Sequence, residues 1–260
     1  MSRLPFALAA LSTLAACATT GEGAGPGDNA QMQSAARPVD RAARQAIGRE
    51  DMLTQMAFWA GEYQAFPNDL EAAQRFADAL RLGGRHDRAA QIAAEALGRF
   101  PDDRALMTTY GLAQLAGAHP QEALRPLALI AQAEPENWRV RNALGAALDQ
   151  LGRFSEARRA YQEALALHPD DANVLTNLGV SHLMAGAPEE AEPILRQATA
   201  LPGAPAQARQ NLAIALALQG RFDEAEQLAR VDLPPDAAAA NVAYLRALLS
   251  DPRRWDELRG

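Results

Sequence analysis

The sequence repeats with a period of about 34 residues, and this period restricts the fold more than any other feature. Three residue types recur in register: Leu144, Leu178 and Leu212; Gly152, Gly186 and Gly220; Ala157, Ala191 and Ala225. Prolines continue the same spacing toward the N-terminus, at Pro67, Pro101, Pro135 and Pro169. A fixed period of this length predicts an array of similar units, because each unit has to stack on its neighbours to bury its apolar face.

Each unit is predicted to be a pair of helices. Residues 138–151 and 154–167 form two amphipathic patterns, separated by Gly152 and followed by Pro169. The first pattern contains Gly145, although a glycine inside a helix costs about 1 kcal/mol relative to alanine. A glycine at this position indicates that the two helices pack closely there.

The residues of this unit resemble the tetratricopeptide repeat. The signature is matched by Leu144-Gly145 in the first helix, Gly152 at the turn, Ala157 and Tyr161 in the second helix, and Pro169 after it. The resemblance implies an all-α fold, namely a right-handed tetratricopeptide-repeat α-solenoid with a C-terminal capping helix.

The same register divides the chain. We expect five repeats at residues 70–239, preceded by an atypical helical cap or half repeat at residues 38–69. A capping helix is predicted at residues 236–250, because Asp236 is a suitable N-cap for the amphipathic pattern that follows it. Residues 251–260 form a charged tail.

The N-terminal residues predict secretion and a lipid anchor. Residues 1–16 carry Arg3, an apolar run and then small residues, which is the pattern of a signal peptide. The sequence Leu14-Ala15-Ala16-Cys17 resembles a bacterial lipobox, and the resemblance implies cleavage before Cys17 and a covalent lipid on its sulfur. The alternative is an incidental cysteine behind an ordinary signal peptide. By the usual bacterial sorting rule, Ala18 favours the outer membrane, with the chain on the periplasmic face behind a flexible linker at residues 17–37.

Composition argues against several classes of function. The net charge is −7 and no lysine is present, so a nucleic-acid partner is not expected. Cys17 is the one cysteine, which excludes an intramolecular disulfide framework and a cysteine-rich metal site. The four histidines are dispersed along the chain, and none has another histidine or the cysteine at helical spacing. We therefore expect no enzyme, no catalytic residue, no metal, no small-molecule substrate and no cofactor apart from the lipid on Cys17.

The remaining functional feature is a surface. In the repeat family the first helices line a concave groove, and positions around the Leu-Gly pair tend to face the ligand. The resemblance implies a peptide-binding groove that includes Arg139, Asn142, Asn177, Val180, Met184, Gln207, Gln210, Asn211 and Ile214. Asn177 and Asn211 are one period apart, and an asparagine amide binds an extended backbone through both its donor and its acceptor. Equally, both asparagines belong to the repeat signature and serve contacts between helices.

Beyond the general repeat, the chain resembles the TadD-like lipoproteins of Tad (Flp-type, tight-adherence) pilus systems. The stretches that carry this resemblance include Asn177-Leu178-Gly179, Leu218-Gln219-Gly220-Arg221-Phe222 and Asn241-Val242-Ala243-Tyr244-Leu245-Arg246. The last is the most specific, because a generic repeat does not require it. The resemblance implies a pilotin-like scaffold at the outer membrane that binds a secretin subunit or another pilus component. The alternative is a periplasmic adaptor that recruits cell-envelope enzymes such as peptidoglycan hydrolases or proteases.

Overall fold

The computed structural model describes residues 40–250, and within this range the chain forms thirteen α-helices and no β-strand. They are α1 (Arg41–Ile47), α2 (Met52–Ala65), α3 (Leu70–Leu82), α4 (His86–Leu97), α5 (Arg104–Ala116), α6 (Pro120–Ala133), α7 (Trp138–Gln150), α8 (Phe154–Leu167), α9 (Ala172–Met184), α10 (Pro188–Ala200), α11 (Ala206–Leu218), α12 (Phe222–Ala229) and α13 (Pro235–Ser250). The all-α prediction is confirmed. The signal peptide, Cys17, the linker at residues 17–37 and the tail at residues 251–260 lie outside the described residues.

The helices form hairpins that follow the sequence period. The first helices of the five repeats, from α3 to α11, begin one period apart at Leu70, Arg104, Trp138, Ala172 and Ala206. The second helices, from α4 to α12, keep the same interval and begin at His86, Pro120, Phe154, Pro188 and Phe222. The same series includes α2, which begins at Met52. The N-terminal cap is thus a second helix preceded by a short α1 of 7 residues.

Capping side chains set the start of the first helices. Asp69, Asp103, Asn137 and Asp171 each accept a hydrogen bond of 2.8–3.2 Å from a backbone N–H three residues later. Such a cap contributes about 1 kcal/mol to a helix. The fifth repeat departs from this pattern, since Pro205 precedes α11 and provides no side-chain cap.

The turn inside each hairpin requires a left-handed backbone residue. Gly84, Gly152, Gly186 and Gly220 adopt φ values of 70–79° there, which a residue without a Cβ does at low cost. In the second repeat Ala118 occupies this position with φ 60°, the one non-glycine with positive φ among residues 40–250. The register of the array therefore fixes this backbone conformation even where glycine is replaced.

Small residues allow the two helices of each hairpin to pack closely. An added Cβ at Gly145 would lie 2.6 Å from Tyr161, and one at Gly179 would lie 2.5 Å from Leu195. Gly111 meets Leu127 in the same way, at 2.8 Å. The predicted packing role of the helical glycines is therefore confirmed. In the first and fifth repeats, both the glycine position and the position opposite it are alanine. These pairs are Ala77 with Ala93 and Ala213 with Ala229.

Candidate functional site

The first helices form the inner side of the solenoid. Each first helix packs on the next one along the array, from α3 through α11, and α11 packs on α13. Among the described helices, successive second helices such as α4 and α6 do not pack on each other. Because the helices are closer together on the first-helix side, the array curves toward that side. The groove predicted on first helices therefore lies on the inner face.

The nine predicted groove residues lie on three successive first helices. Arg139, Met184, Gln207, Gln210 and Ile214 are exposed, and the remaining four are half-buried. Their spacing of three or four residues places them along one face of α7, α9 and α11. The position of the residues on one surface is consistent with a groove, and their contact with a ligand stays a prediction.

Two of the predicted asparagines contact each other. Asn177 on α9 donates a hydrogen bond of 2.9 Å from its amide nitrogen to Oδ1 of Asn142 on α7. Asn211 forms no side-chain hydrogen bond within the described residues. Asn177 therefore links two repeats and retains its own amide oxygen as an acceptor, so both interpretations of the repeated asparagines stay open.

Arg139 is held in place by aromatic stacking. Its guanidinium carbon lies 4.4 Å from the ring centroid of Trp138, and the ring of Trp138 also stacks on His168, with the two centroids 4.8 Å apart. A guanidinium over an indole is stabilised electrostatically and keeps its N–H groups available to solvent. Arg139 thus presents a positioned cation at the centre of the inner face.

The groove continues into the first two repeats, which the sequence analysis did not include. A cavity of about 700 Å³ lies there, lined by Glu71, Gln74, Arg75, Asp78, Arg104, Ala105, Thr108, Thr109 and Glu134. The signal that would have found it is the period itself. Moving back from Asn142 by one and two periods gives Thr108 and Gln74, and moving back from Asn177 by two and three periods gives Thr109 and Arg75.

The N-terminal cap extends this polar part of the groove. A second cavity of about 230 Å³ shares Glu71, Arg75 and Asp78 with the first and reaches α1 and α2. Its wall includes Arg44, which is buried and forms ion pairs of 2.5–2.8 Å with three carboxylates. These ion pairs attach α1 to α2 and α3 and define the N-terminal end of the groove.

The opposite end of the groove is apolar. A cavity of about 330 Å³ lies between α11, the end of α12 and α13. Its lining is Gln210, Ala213, Ile214, Ala229, Leu233, Asn241, Val242 and Leu245, and two of these are predicted groove residues. The inner face therefore changes from charged in the first two repeats to apolar at the last repeat.

A buried carboxylate connects the third and fourth repeats away from the groove. Asp149 on α7 accepts hydrogen bonds from the Tyr161 hydroxyl at 3.0 Å and from the Ser181 hydroxyl at 2.7 Å. Burial raises the pKa of Asp149 above its usual value, although the two hydroxyls act in the opposite direction. These hydrogen bonds join α7, α8 and α9. Both carboxylate oxygens of Asp149 and both hydroxyl groups have a partner within this cluster.

Neither a metal-ligand cluster nor a membrane-spanning helix is found among the described residues. Between residues 40 and 250 no cluster of three His, Cys, Asp or Glu side chains has a geometry suited to a metal ion. In the same range, none of the helices combines the length and the apolar character needed to cross a membrane. Among the described features, the surface of the groove gives the best support for a function.

Glu192 connects the fourth and fifth repeats by charge. It accepts hydrogen bonds from Arg221 at 2.6 Å, from Arg196 at 2.9 Å and from Gln219 at 3.0 Å. Burial alone would raise the pKa of Glu192, but these three hydrogen bonds outweigh it and lower the pKa from 4.5 to about 2. Since the folded pKa is the lower one, the carboxylate stabilises the fold above pH 4.5, and this contribution is lost as the pH falls toward 2.

Replacing Glu192 by Gln is expected to destabilise the protein by about 1 to 2 kcal/mol at pH 7, because the partly exposed arginines limit the gain. The difference from the wild type should shrink as the pH falls from 4.5 to 3, and urea unfolding at several pH values measures it. Glu163→Gln is the matched control, since Glu163 is exposed and has one ion pair at 3.5 Å. A difference that stays constant with pH would contradict the assignment.

Comparisons with known proteins agree with the array. A model of the tetratricopeptide repeat matches residues 108–172 and 142–205, and a second such model matches residues 206–233. The TPR repeat-containing protein PA4667 of Pseudomonas aeruginosa is 31% identical over 104 residues. These residues are 40% of this chain and 18% of that protein, so the chain spans less than a fifth of this relative.

Solved structures show the same architecture. MamA MSR-1 is 30% identical with a TM-score of 0.53, over 60% of this chain and 89% of the other. TTC0263, a thermophilic TPR protein in Thermus thermophilus, is 23% identical with a TM-score of 0.55, over 67% of this chain and 98% of the other. The tetratricopeptide-repeat solenoid is thus confirmed as the fold. These similarities concern the repeats, and the resemblance to pilus lipoproteins stays a prediction.

Proposed function

Because the chain folds as a tetratricopeptide-repeat solenoid, we propose that it is a non-catalytic scaffold that binds a polypeptide along the inner face of its first helices. The observation that supports this most directly is the groove, which runs from α1 to α13 and has cavities at both ends. Its polar part is lined by amides, hydroxyls, guanidinium groups and carboxylates, and such groups can form hydrogen bonds with the peptide backbone of an extended segment.

The scaffold acts at the outer membrane in this proposal. Its support is the sequence of the N-terminus, where a signal peptide ends at the lipobox cysteine Cys17 and a linker follows at residues 17–37. A lipid on Cys17 would hold the solenoid on the periplasmic face of that membrane, because two or more acyl chains are sufficient for stable anchoring. The partner is a secretin subunit or another component of a Tad/Flp-type pilus, as the resemblance of the C-terminal stretches implies.

Complementation of a gene deletion tests this proposal. Cells without the protein are expected to lose the multimeric, outer-membrane form of the secretin and to lose surface pili, and the wild-type gene should restore both. The Cys17→Ser variant should leave the membrane fraction and fail to restore the secretin. A secretin that multimerises normally in the deletion strain would contradict the pilus assignment. A Cys17→Ser variant that stays in the membrane fraction would contradict the lipid anchor.

A photocrosslinking amino acid in the groove distinguishes the secretin from the alternative partners. Placed at Asn211, it should form adducts with the secretin, whereas placement at Arg159, an exposed residue of the second helix α8, should not. Adducts with peptidoglycan hydrolases or proteases instead would favour the adaptor function. Equal adducts from both positions would contradict binding in the groove.

A further inference from the structure

The fifth repeat lacks a side chain that the three preceding repeats have. In the second, third and fourth repeats, Leu127, Tyr161 and Leu195 fill the space between the paired helices and are at most 1% exposed. The equivalent residue of the fifth repeat, one period after Leu195, is Ala229. Ala229 lines the apolar cavity of about 330 Å³. The cavity therefore lies at the position where the second, third and fourth repeats place a large apolar side chain.

The capping helix completes the cavity without filling it. Asn241, Val242 and Leu245 of α13 form one wall, and these three residues belong to the stretch at residues 241–246 that a generic repeat does not require. Tyr244, in the same stretch, is 63% exposed and does not line the cavity. The stretch thus has a structural role at this site that the period does not explain.

We propose that this cavity binds one large apolar side chain of the partner polypeptide and anchors the partner at the C-terminal end of the groove. The inference rests on the proposed scaffold function and names the chemistry that the scaffold recognises. None of the described residues that line the cavity is charged, and its volume is sufficient for an aromatic side chain. Buried aromatic side chains in such pockets contribute most of the binding energy of many interfaces.

The polar atoms of the cavity favour a polypeptide over a lipid. Gln210 and Asn241 each offer an amide donor and an amide acceptor beside the apolar walls. A peptide group satisfies both, whereas an acyl chain satisfies neither. Gln210 and Ile214 are also in register with Gln74 and Asp78 of the polar cavity, so one partner segment can follow the same face from its polar part to its apolar anchor.

Isoleucine methyl NMR of the purified chain tests the proposal, because the sequence has five isoleucines and Ile214 lines the cavity. N-acetyl-L-phenylalaninamide is the probe, and N-acetyl-L-serinamide and octanoate are the comparison compounds. The phenylalanine probe should shift the Ile214 signal with a dissociation constant on the order of 1 mM. The signals of Ile92 and Ile130, which are 1% exposed, should not move. An unmoved Ile214 signal, or an equal effect of the serine compound, would overturn the proposal.

A variant that fills the cavity gives the matched control. Ala229→Leu combined with Ala213→Gly recreates the glycine–leucine pair of the fourth repeat and should weaken binding of the phenylalanine probe at least tenfold. Leu245→Ala is a second lining variant and should also weaken binding, whereas Tyr244→Ala should leave it unchanged. Far-ultraviolet circular dichroism and urea unfolding like those of the wild type show that each variant is folded.

The outcomes separate this inference from the scaffold function. Tighter binding of octanoate than of the phenylalanine probe would assign the cavity to an acyl chain and overturn the proposal. Probe binding that persists in the filled variant would overturn it as well. An empty, unresponsive cavity together with secretin adducts from Asn211 would remove the anchor and leave the scaffold function in place. The absence of adducts from Asn211 would remove the scaffold function itself.

Discussion

Replacing Tyr161 by alanine is expected to lower the free energy of unfolding by about 3 to 5 kcal/mol, as for other large aromatic side chains in a core. Tyr161 is 1% exposed and packs against Gly145 between α7 and α8. Its hydroxyl also donates a hydrogen bond of 3.0 Å to the buried Asp149. Urea unfolding measures the loss, and Tyr161→Phe, which keeps the ring, should lose about 1 to 3 kcal/mol. Similar losses for Phe and Ala would show that the ring contributes little.

A double-mutant cycle with Gly145 tests the packing directly. In the wild type, Gly145→Ala should be destabilising, because its Cβ would lie 2.6 Å from the Tyr161 ring and overpacking costs about 1 to 3 kcal/mol. In the Tyr161→Ala background the same change should stabilise the protein by up to about 1 kcal/mol, because alanine is the better helix former. Gly61→Ala in α2 is the control, since nothing lies within 4 Å of its Cβ. A cycle without this reversal of sign would contradict the close contact.

The sequence was sufficient to predict the array because several kinds of local signal recur at the same interval. The caps, the turn glycines and the packing glycines recur at one period, and each has a local physical reason that needs no knowledge of distant residues. Gly152, for example, is required by the left-handed turn, and Gly145 by the ring opposite it. Local rules of this kind predict the fold even where one repeat departs from the signature, as Ala118 does.

The extent of the groove was predicted less completely than the array. The ends of the groove depend on where the side chains leave a cavity between the helices. The residues proposed from the sequence cover α7 to α11, and the structure adds α3 and α5 through the same register. The apolar cavity depends on the small volume of Ala229 and on the path of α13, which does not follow the period. Volume differences between equivalent residues become visible only when the packing around them is known.

The cluster around Arg44 could not be predicted for a different reason. Its partners Glu62, Asp69 and Glu71 lie 18 to 27 residues away and on two other helices. No spacing rule for charges on one helix covers such distances. The sequence therefore predicts an atypical cap at residues 38–69 but does not show what attaches it to the array. The structure identifies this attachment as one buried guanidinium.

Arg44→Met is accordingly expected to destabilise the N-terminal end by about 3 to 5 kcal/mol, the usual cost of removing one partner from a buried ion pair. Glu62 is 7% exposed and would lose its ion pair with Arg44, and Asp69 would lose the same partner. Because α1 has 7 residues, its separation from α2 is the cheapest way to rehydrate these carboxylates. Hydrogen exchange should therefore accelerate in α1 and α2 and change little from α7 onward, since repeats depend mainly on their neighbours.

Two further variants decide whether charge is the cause. Arg153→Met removes an arginine whose ion pair with Glu156 is equally short at 2.7 Å but about half exposed, and it should destabilise the protein far less than Arg44→Met. Adding Glu62→Leu to Arg44→Met should recover part of the lost protection, because it removes the most buried of the carboxylates that lose their ion pair with Arg44. If Arg44→Met destabilises the protein no more than Arg153→Met does, water reaches the carboxylates around Arg44 freely. The N-terminal end of the groove would then depend on the apolar contacts of Trp59 instead.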